Sequence, residues 1–183
     1  MSLFKDLDPA NISKLLYISL LVAVVTIIWM YRLGEPIRGT KTNIILALEL
    51  VRTEEIAKDI LEDLDGTEIA AVRKITYVDF LFIPAYMLFL SNLWLLIIIR
   101  LSDHPWSGFF TLAGALFIIA AMVAGSFDLV ENIYLLKVLK GVGHPAPTIT
   151  TIFAALKWAL LIPTLFFGLT LEVFVWVTKL LSK

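Results

Sequence analysis

The chain contains no cysteine among its 183 residues. This absence excludes disulfide bonds, thiolate metal sites and thiol redox chemistry, and it leaves the cellular compartment undetermined. Charged residues are also scarce, at 17% of the chain, and the formal net charge is −1. A soluble domain has about 25% charged residues, whereas a nucleic-acid-binding domain carries a basic excess. We therefore expect neither a soluble globule nor a nucleic-acid partner.

Hydrophobic residues are abundant instead. They make up 60% of the chain, which includes 12 Phe, 5 Trp and 5 Tyr. This proportion exceeds the roughly 45–50% typical of soluble domains, so too little polar surface remains to cover a globule in water. The composition indicates an integral membrane protein, and the length allows a single transmembrane domain over residues 1–183.

Four apolar runs are long enough to cross a bilayer, which requires about 20 mostly apolar residues in a helix. Lipid favours helices because every backbone polar group is then satisfied within its own segment. The predicted spans are about 15–31, 75–99, 108–139 and 148–181.

The segment between the first two spans has a different character. Residues 32–74 contain nine of the sixteen acids, and apolar residues recur at helical spacing within them. We predict one amphipathic helix over about 42–64, with Thr42 at its start and Gly66 at its end. Its apolar side would contain Ile45, Leu48, Ile56, Ile60 and Leu64. The predicted fold class is thus an all-α four-transmembrane-helix bundle with this additional amphipathic helix.

The distribution of basic residues favours one orientation. Four antiparallel spans place nine basic residues on the side of the 32–74 segment and five on the side of the termini. Because cytoplasmic loops carry an excess of Lys and Arg, we predict that the 32–74 segment is cytoplasmic and that the termini lie outside.

Four ionisable residues fall inside the predicted spans: Asp79, Asp128, Glu131 and Lys157. Such groups usually face the bundle interior and have a partner there. Counted from the cytoplasmic ends of their helices, their depths differ by only about one or two helical turns. We therefore predict that the four side chains form one polar layer in the cytoplasmic half of the bundle.

Helical phase adds two residues to this layer. Asp128, Glu131 and Asn132 are spaced i, i+3 and i+4, so their side chains share one face. Tyr86 lies seven residues after Asp79 and shares its face. The predicted ligand- or proton-binding cluster contains Asp79, Tyr86, Asp128, Glu131, Asn132 and Lys157.

The predicted cluster has three carboxylates and only one ammonium. Burying the resulting net charge of −2 is unfavourable without compensation. Protonation of one or two acids, a bound cation or cationic ligand group, or entry of water would each compensate it. These three solutions correspond to different functions.

Several stretches carry a family resemblance. The segments are VDFLFIPAY at 78–86, FDLVEN at 127–132 and ALKWALL at 155–161, preceded by ALELVRTEEIAKDIL at 47–61. In this combination the chain resembles a family of small bacterial four-helix integral membrane proteins of uncharacterised function. The resemblance implies a four-helix fold and a bacterial inner membrane location. It implies no activity and no cofactor.

Three hypotheses about function follow. In the first, the cluster binds or transports a small polar ligand, a lipid headgroup, a proton or a cation. In the second, the protein is a membrane-embedded enzyme that uses Asp128 or Glu131 as acid or base. Asp79, Asp128 and Glu131 would hold any divalent metal, although Lys157 would repel it. In the third, the charges are structural, and the protein assembles with a protein partner or with its own copies. The sequence favours the first.

Overall fold

The computed structural model of the protein describes residues 7–37 and 44–181, with side chains up to residue 178. Within these ranges the chain is helical and contains no strand. A short 3₁₀ turn, Glu35–Ile37, follows the first helix. The helices are α1 (Pro9–Leu33), α2 (Ile44–Glu49), α3 (Glu54–Glu62), α4 (Gly66–Arg100), α5 (Ser107–Val138) and α6 (Ala146–Leu181).

Four of these helices, α1, α4, α5 and α6, are long and apolar enough to cross a membrane by length and composition. The predicted all-α class with four long apolar helices is therefore confirmed. The helices extend beyond the apolar runs from which they were predicted, most of all at the start of α4. There Asp65 caps the helix through the backbone amides of Thr67 and Glu68, and the Glu68 carboxylate accepts a hydrogen bond from the Asp65 amide.

The helix α4 lies at the centre of the bundle. It packs against α1, α5 and α6, while α5 and α6 also pack against each other. Trp94 of α4 is almost fully buried, stacks on Phe117 with ring centroids 4.4 Å apart, and donates its indole N–H to the Thr164 carbonyl oxygen at 3.1 Å. Gly114 of α5 allows the close approach, since a Cβ there would lie 2.6 Å from Cγ1 of Ile98. Small residues let membrane helices approach in this way.

The segment before α4 differs from its prediction. In place of one helix over 42–64, two short helices form, and the break lies between Glu49 and Glu54. Thr53 has extended backbone and caps α3 by accepting a hydrogen bond from the Ile56 amide. The expected end at Gly66 is wrong because Gly66 begins α4. Thr42, the expected start, lies outside the described residues.

Hydrogen bonds to α6 account for the break. Thr151 Oγ1 donates to the Val51 carbonyl oxygen at 2.6 Å, and Thr148 Oγ1 donates to the Arg52 carbonyl oxygen at 3.0 Å. These carbonyl groups lie in the stretch between the helices and need partners outside a helix. The break also changes the helical phase, so that Leu48 is fully buried whereas Ile56 is 50% exposed. The expected single apolar side is therefore divided, and α2 packs against α5 and α6.

Candidate functional site

Lys157 of α6 bridges two carboxylates of α5. Its Nζ donates a hydrogen bond to Asp128 Oδ1 at 3.1 Å and lies 2.7 Å from Glu131 Oε2. All three side chains are almost completely buried. One ammonium thus joins α5 to α6 through two ion pairs in the interior of the bundle.

The same cluster reaches α4 through two further hydrogen bonds. Tyr86 donates its hydroxyl to Asp128 Oδ2 at 2.9 Å, and Asn132 donates its amide to Asp79 Oδ2 at 2.7 Å. Both oxygens of Asp128 therefore have a donor. The structure brings together all six side chains that the sequence places in one layer, while their role in ligand binding stays a prediction.

Helical spacing on α5 explains the convergence. Asp128, Glu131 and Asn132 stand at i, i+3 and i+4, which places them on one face of the helix. One turn earlier, the absence of a side chain at Gly125 leaves room for Met87 of α4. The two helices therefore lie close enough for short side chains to hydrogen-bond across their interface.

Glu131 is the least satisfied member of the cluster. Its carboxylate is fully buried, and Oε2 contacts Lys157 without the angles of a hydrogen bond. Its other oxygen, Oε1, has no hydrogen-bond partner among the described residues. A buried carboxylate oxygen without a donor is unfavourable, so this position requires a proton, a water molecule or a ligand donor.

A cavity of about 710 Å³ lies beside the cluster. Its volume falls in the range of about 300–1,000 Å³ common for small-molecule sites. Five of the six cluster residues line it, and Glu131 does not. The rest of the wall is largely apolar and comes from the 3₁₀ turn and from α1, α2, α4, α5 and α6, including Ile27, Met30, Ile37, Ile44, Ile45, Ile75, Phe82, Leu135, Trp158 and Leu161. The charged cluster therefore borders a largely apolar cavity.

Glu49 of α2 is a third carboxylate that lines this cavity, and the sequence analysis missed it. It is half-buried in the wall. Burial raises the pKa of Glu49 above its ordinary value and the charge of Asp128 adds to the rise, while the charge of Lys157 and a hydrogen bond with Trp158 oppose it. Glu49 follows Ile45 by four residues, so its position on the inward face of α2 was readable from helical spacing.

A second ion pair between two of the long helices was also missed. Arg100, at the end of α4, pairs with Glu172 of α6. A carboxylate within an apolar span by itself indicates a polar partner inside the bundle. Glu172 lies in such a span, as Asp128 does, and could have been recognised in the same way. This pair lies toward the other end of the bundle and does not line the cavity.

The arrangement does not favour the metal hypothesis. Within the described ranges, no three His, Cys, Asp or Glu side chains are arranged to hold a metal ion. Asp128 and Glu131 are turned toward Lys157, and Asp79 is turned toward Asn132. The ammonium thus occupies the place between the carboxylates where a metal would have to bind.

Comparisons with protein-family models, with curated proteins and with solved structures find no match to the chain. The fold and the geometry of the cluster are therefore the grounds for an argument about function.

We predict that Lys157→Met strongly destabilises the protein. The variant leaves Asp128 and Glu131 buried beside each other without a cation, and breaking a buried pair in this way costs about 3–5 kcal/mol. Thermal unfolding in detergent measures the effect. Lys140→Met, at an exposed position, removes the same charge and serves as the control. Equal melting temperatures for the two variants would contradict the bridging role of Lys157.

Proposed function

We propose that this integral membrane protein is a binding or transport protein that holds the polar group of a small ligand at the intramembrane cluster. The observation that carries this proposal is the cavity, which brings a space of about 710 Å³ against Asp79, Asp128 and Lys157. A cluster that serves only to join helices has no need of an adjoining space. A largely apolar pocket with a few convergent polar groups is the usual form of a ligand site.

The hydrogen bonds within the cluster support binding over catalysis. Asp128 accepts from Tyr86 and Lys157 at its two oxygens, so it is held in place and has no free oxygen to act as a base. Glu131 lies behind the cavity wall. Groups that are fixed by their neighbours provide a preorganised surface for a polar ligand, which reduces the ordering that binding requires.

We further propose that the protein lies in a bacterial inner membrane with the 32–74 segment in the cytoplasm, so that the cavity is in the cytoplasmic half of the bundle. The excess of basic residues on that side supports this orientation. An introduced Asp65→Cys should then react with an impermeant thiol reagent only after the cells are opened. Reaction in intact cells would reverse the orientation without affecting the cavity.

The proposed function requires that a small polar molecule can reach the cavity. We predict that Thr76→Cys, in the cavity wall, reacts with a small cationic methanethiosulfonate reagent when the protein is held in lipid nanodiscs. The chain has no native cysteine to interfere. Labelling is measured by mass spectrometry of the intact protein over time.

Thr150→Cys provides a matched control. Thr76 and Thr150 are both buried, and each donates its hydroxyl to the carbonyl oxygen four residues earlier. Thr150 does not line the cavity, so a cysteine there should remain unmodified while that at position 76 reacts to completion. If neither cysteine reacts, the cavity is closed to small polar molecules. The hypothesis that the charges are structural and that the protein is an assembly subunit would then replace ligand binding.

A further inference from the structure

Resting on the proposed function, we propose the chemical class of the ligand: a hydrophobic cation. Its positive group lies beside Glu49 and Asp79, and its hydrocarbon body fills the apolar part of the cavity between α1 and α6. The molecule enters from the bilayer through the side of the bundle.

The charges around the cavity favour a cation. Four carboxylates, those of Glu49, Asp79, Asp128 and Glu131, surround one ammonium, so the fully ionised cluster has a net charge of −3. Charge buried in a medium of low dielectric constant must be compensated. A cationic ligand supplies a positive charge that the described part of the protein lacks at this place.

Lys157 does not pair with all four carboxylates. The carboxylates with which it forms no ion pair indicate where the positive group of the ligand lies. Lys157 already serves Asp128 and Glu131 through two ion pairs. Asp79 has the neutral amide of Asn132 as its donor, and Glu49 forms no ion pair among the described residues. Both of these carboxylates face the cavity. Among the described residues neither of these two acids forms an ion pair, so a positive group in the cavity would be placed beside them.

The free oxygen of Glu131 is an independent sign of incomplete compensation. Its Oε1 is fully buried and has no hydrogen-bond donor in the described ranges. Glu131 also contacts the lysine that lines the cavity.

The remaining wall suits a hydrocarbon body. The helix α1 packs on α4, whereas α6 packs on α4 and α5, and the cavity lies between α1 and α6. Its rim carries Ile27 and Trp158, which are 47% and 40% exposed. In a membrane these positions meet lipid, so the rim opens toward acyl chains. Two further aromatic residues, Phe82 and Tyr86, line the cavity with Trp158, and aromatic rings attract cations.

Other ligand classes fit less well. An anion would add to a net negative site, and like-charge contact is unfavourable. A zwitterionic phospholipid would place its phosphate group beside the same carboxylates. A small hydrophilic cation would leave the apolar wall without contact. The geometry thus favours one positive charge attached to an apolar body.

Two ions of nearly the same shape and opposite charge test the proposal. The protein in phosphatidylcholine nanodiscs is equilibrated with tetraphenylphosphonium or with tetraphenylborate, and binding to empty nanodiscs is subtracted. We expect saturable binding of the phosphonium ion alone. The isosteric double variant Glu49→Gln with Asp79→Asn should weaken it by about tenfold or more, because two charges that face the ligand are removed. Asp59→Asn, exposed on α3, should bind like the native protein.

The other outcomes overturn the proposal in distinguishable ways. Equal binding of both ions, or an unchanged affinity in the double variant, removes the cationic preference and leaves a ligand site of another class. Absence of phosphonium binding, together with reaction of Thr76→Cys, rejects the ligand class while the proposed function stands. Absence of binding together with an unreactive Thr76→Cys rejects both. A melting temperature recorded for each variant shows that the folded protein is compared.

Discussion

The double ion pair of Lys157 with Asp128 and Glu131 is the constraint around which the bundle interior is arranged, because none of the three charges can remain buried alone. It joins α6 to α5, and the hydroxyl of Tyr86 on Asp128 extends it to α4. Lipid provides no hydrophobic force between membrane helices, so packing and interhelical polar contacts determine how they associate. The three helices that share this network also share the deepest packing, around Trp94. The helix α1 contributes no residue to the network, and α4 is its main partner among the long helices, beside the cavity.

An ion pair of this kind is an unfavourable way to hold helices together. The cost of removing charges from water often equals or exceeds their attraction, and apolar residues of similar volume can replace buried pairs without loss of stability. Elsewhere the same bundle uses contacts that bury no charge, such as the approach of Ile98 to Gly114 and the bond from Trp94 to a backbone carbonyl group. We therefore interpret the cluster, the cavity beside it and the additional acid Glu49 together, as the polar part of the proposed ligand site.

Much of this arrangement could be predicted from the chain. Span length and composition indicated four long helices because a bilayer requires them, and helical phase on α5 placed Asp128, Glu131 and Asn132 together. Depth along antiparallel helices was sufficient to place Asp79 in the same layer. These inferences depend on local geometry and on the thickness of the membrane, both of which are known without a structure.

Tertiary contacts determined what the sequence did not reveal. The break after Glu49 depends on the hydroxyl groups of Thr148 and Thr151, which lie about a hundred residues away along the chain. Helical spacing from Ile45 places Glu49 on the inward side of α2, but it does not show that this side borders a cavity. The cavity itself follows from α1 packing mainly on α4 and not on α6. Periodicity within one helix contains no information about such an empty space.

The central claim is that the charges of the cluster serve a ligand and are not required for folding. The most direct measurement is complementation of a strain that lacks the gene by the neutral triple variant Asp128→Asn, Glu131→Gln and Lys157→Met, after its melting temperature is shown to match the native value. This variant removes all three charges of the double ion pair together, and the amide introduced at position 128 retains an acceptor oxygen for the Tyr86 hydroxyl, so the variant should fold. We predict that the variant is stable but does not complement the strain that lacks the gene. Full restoration by the neutral variant would contradict it.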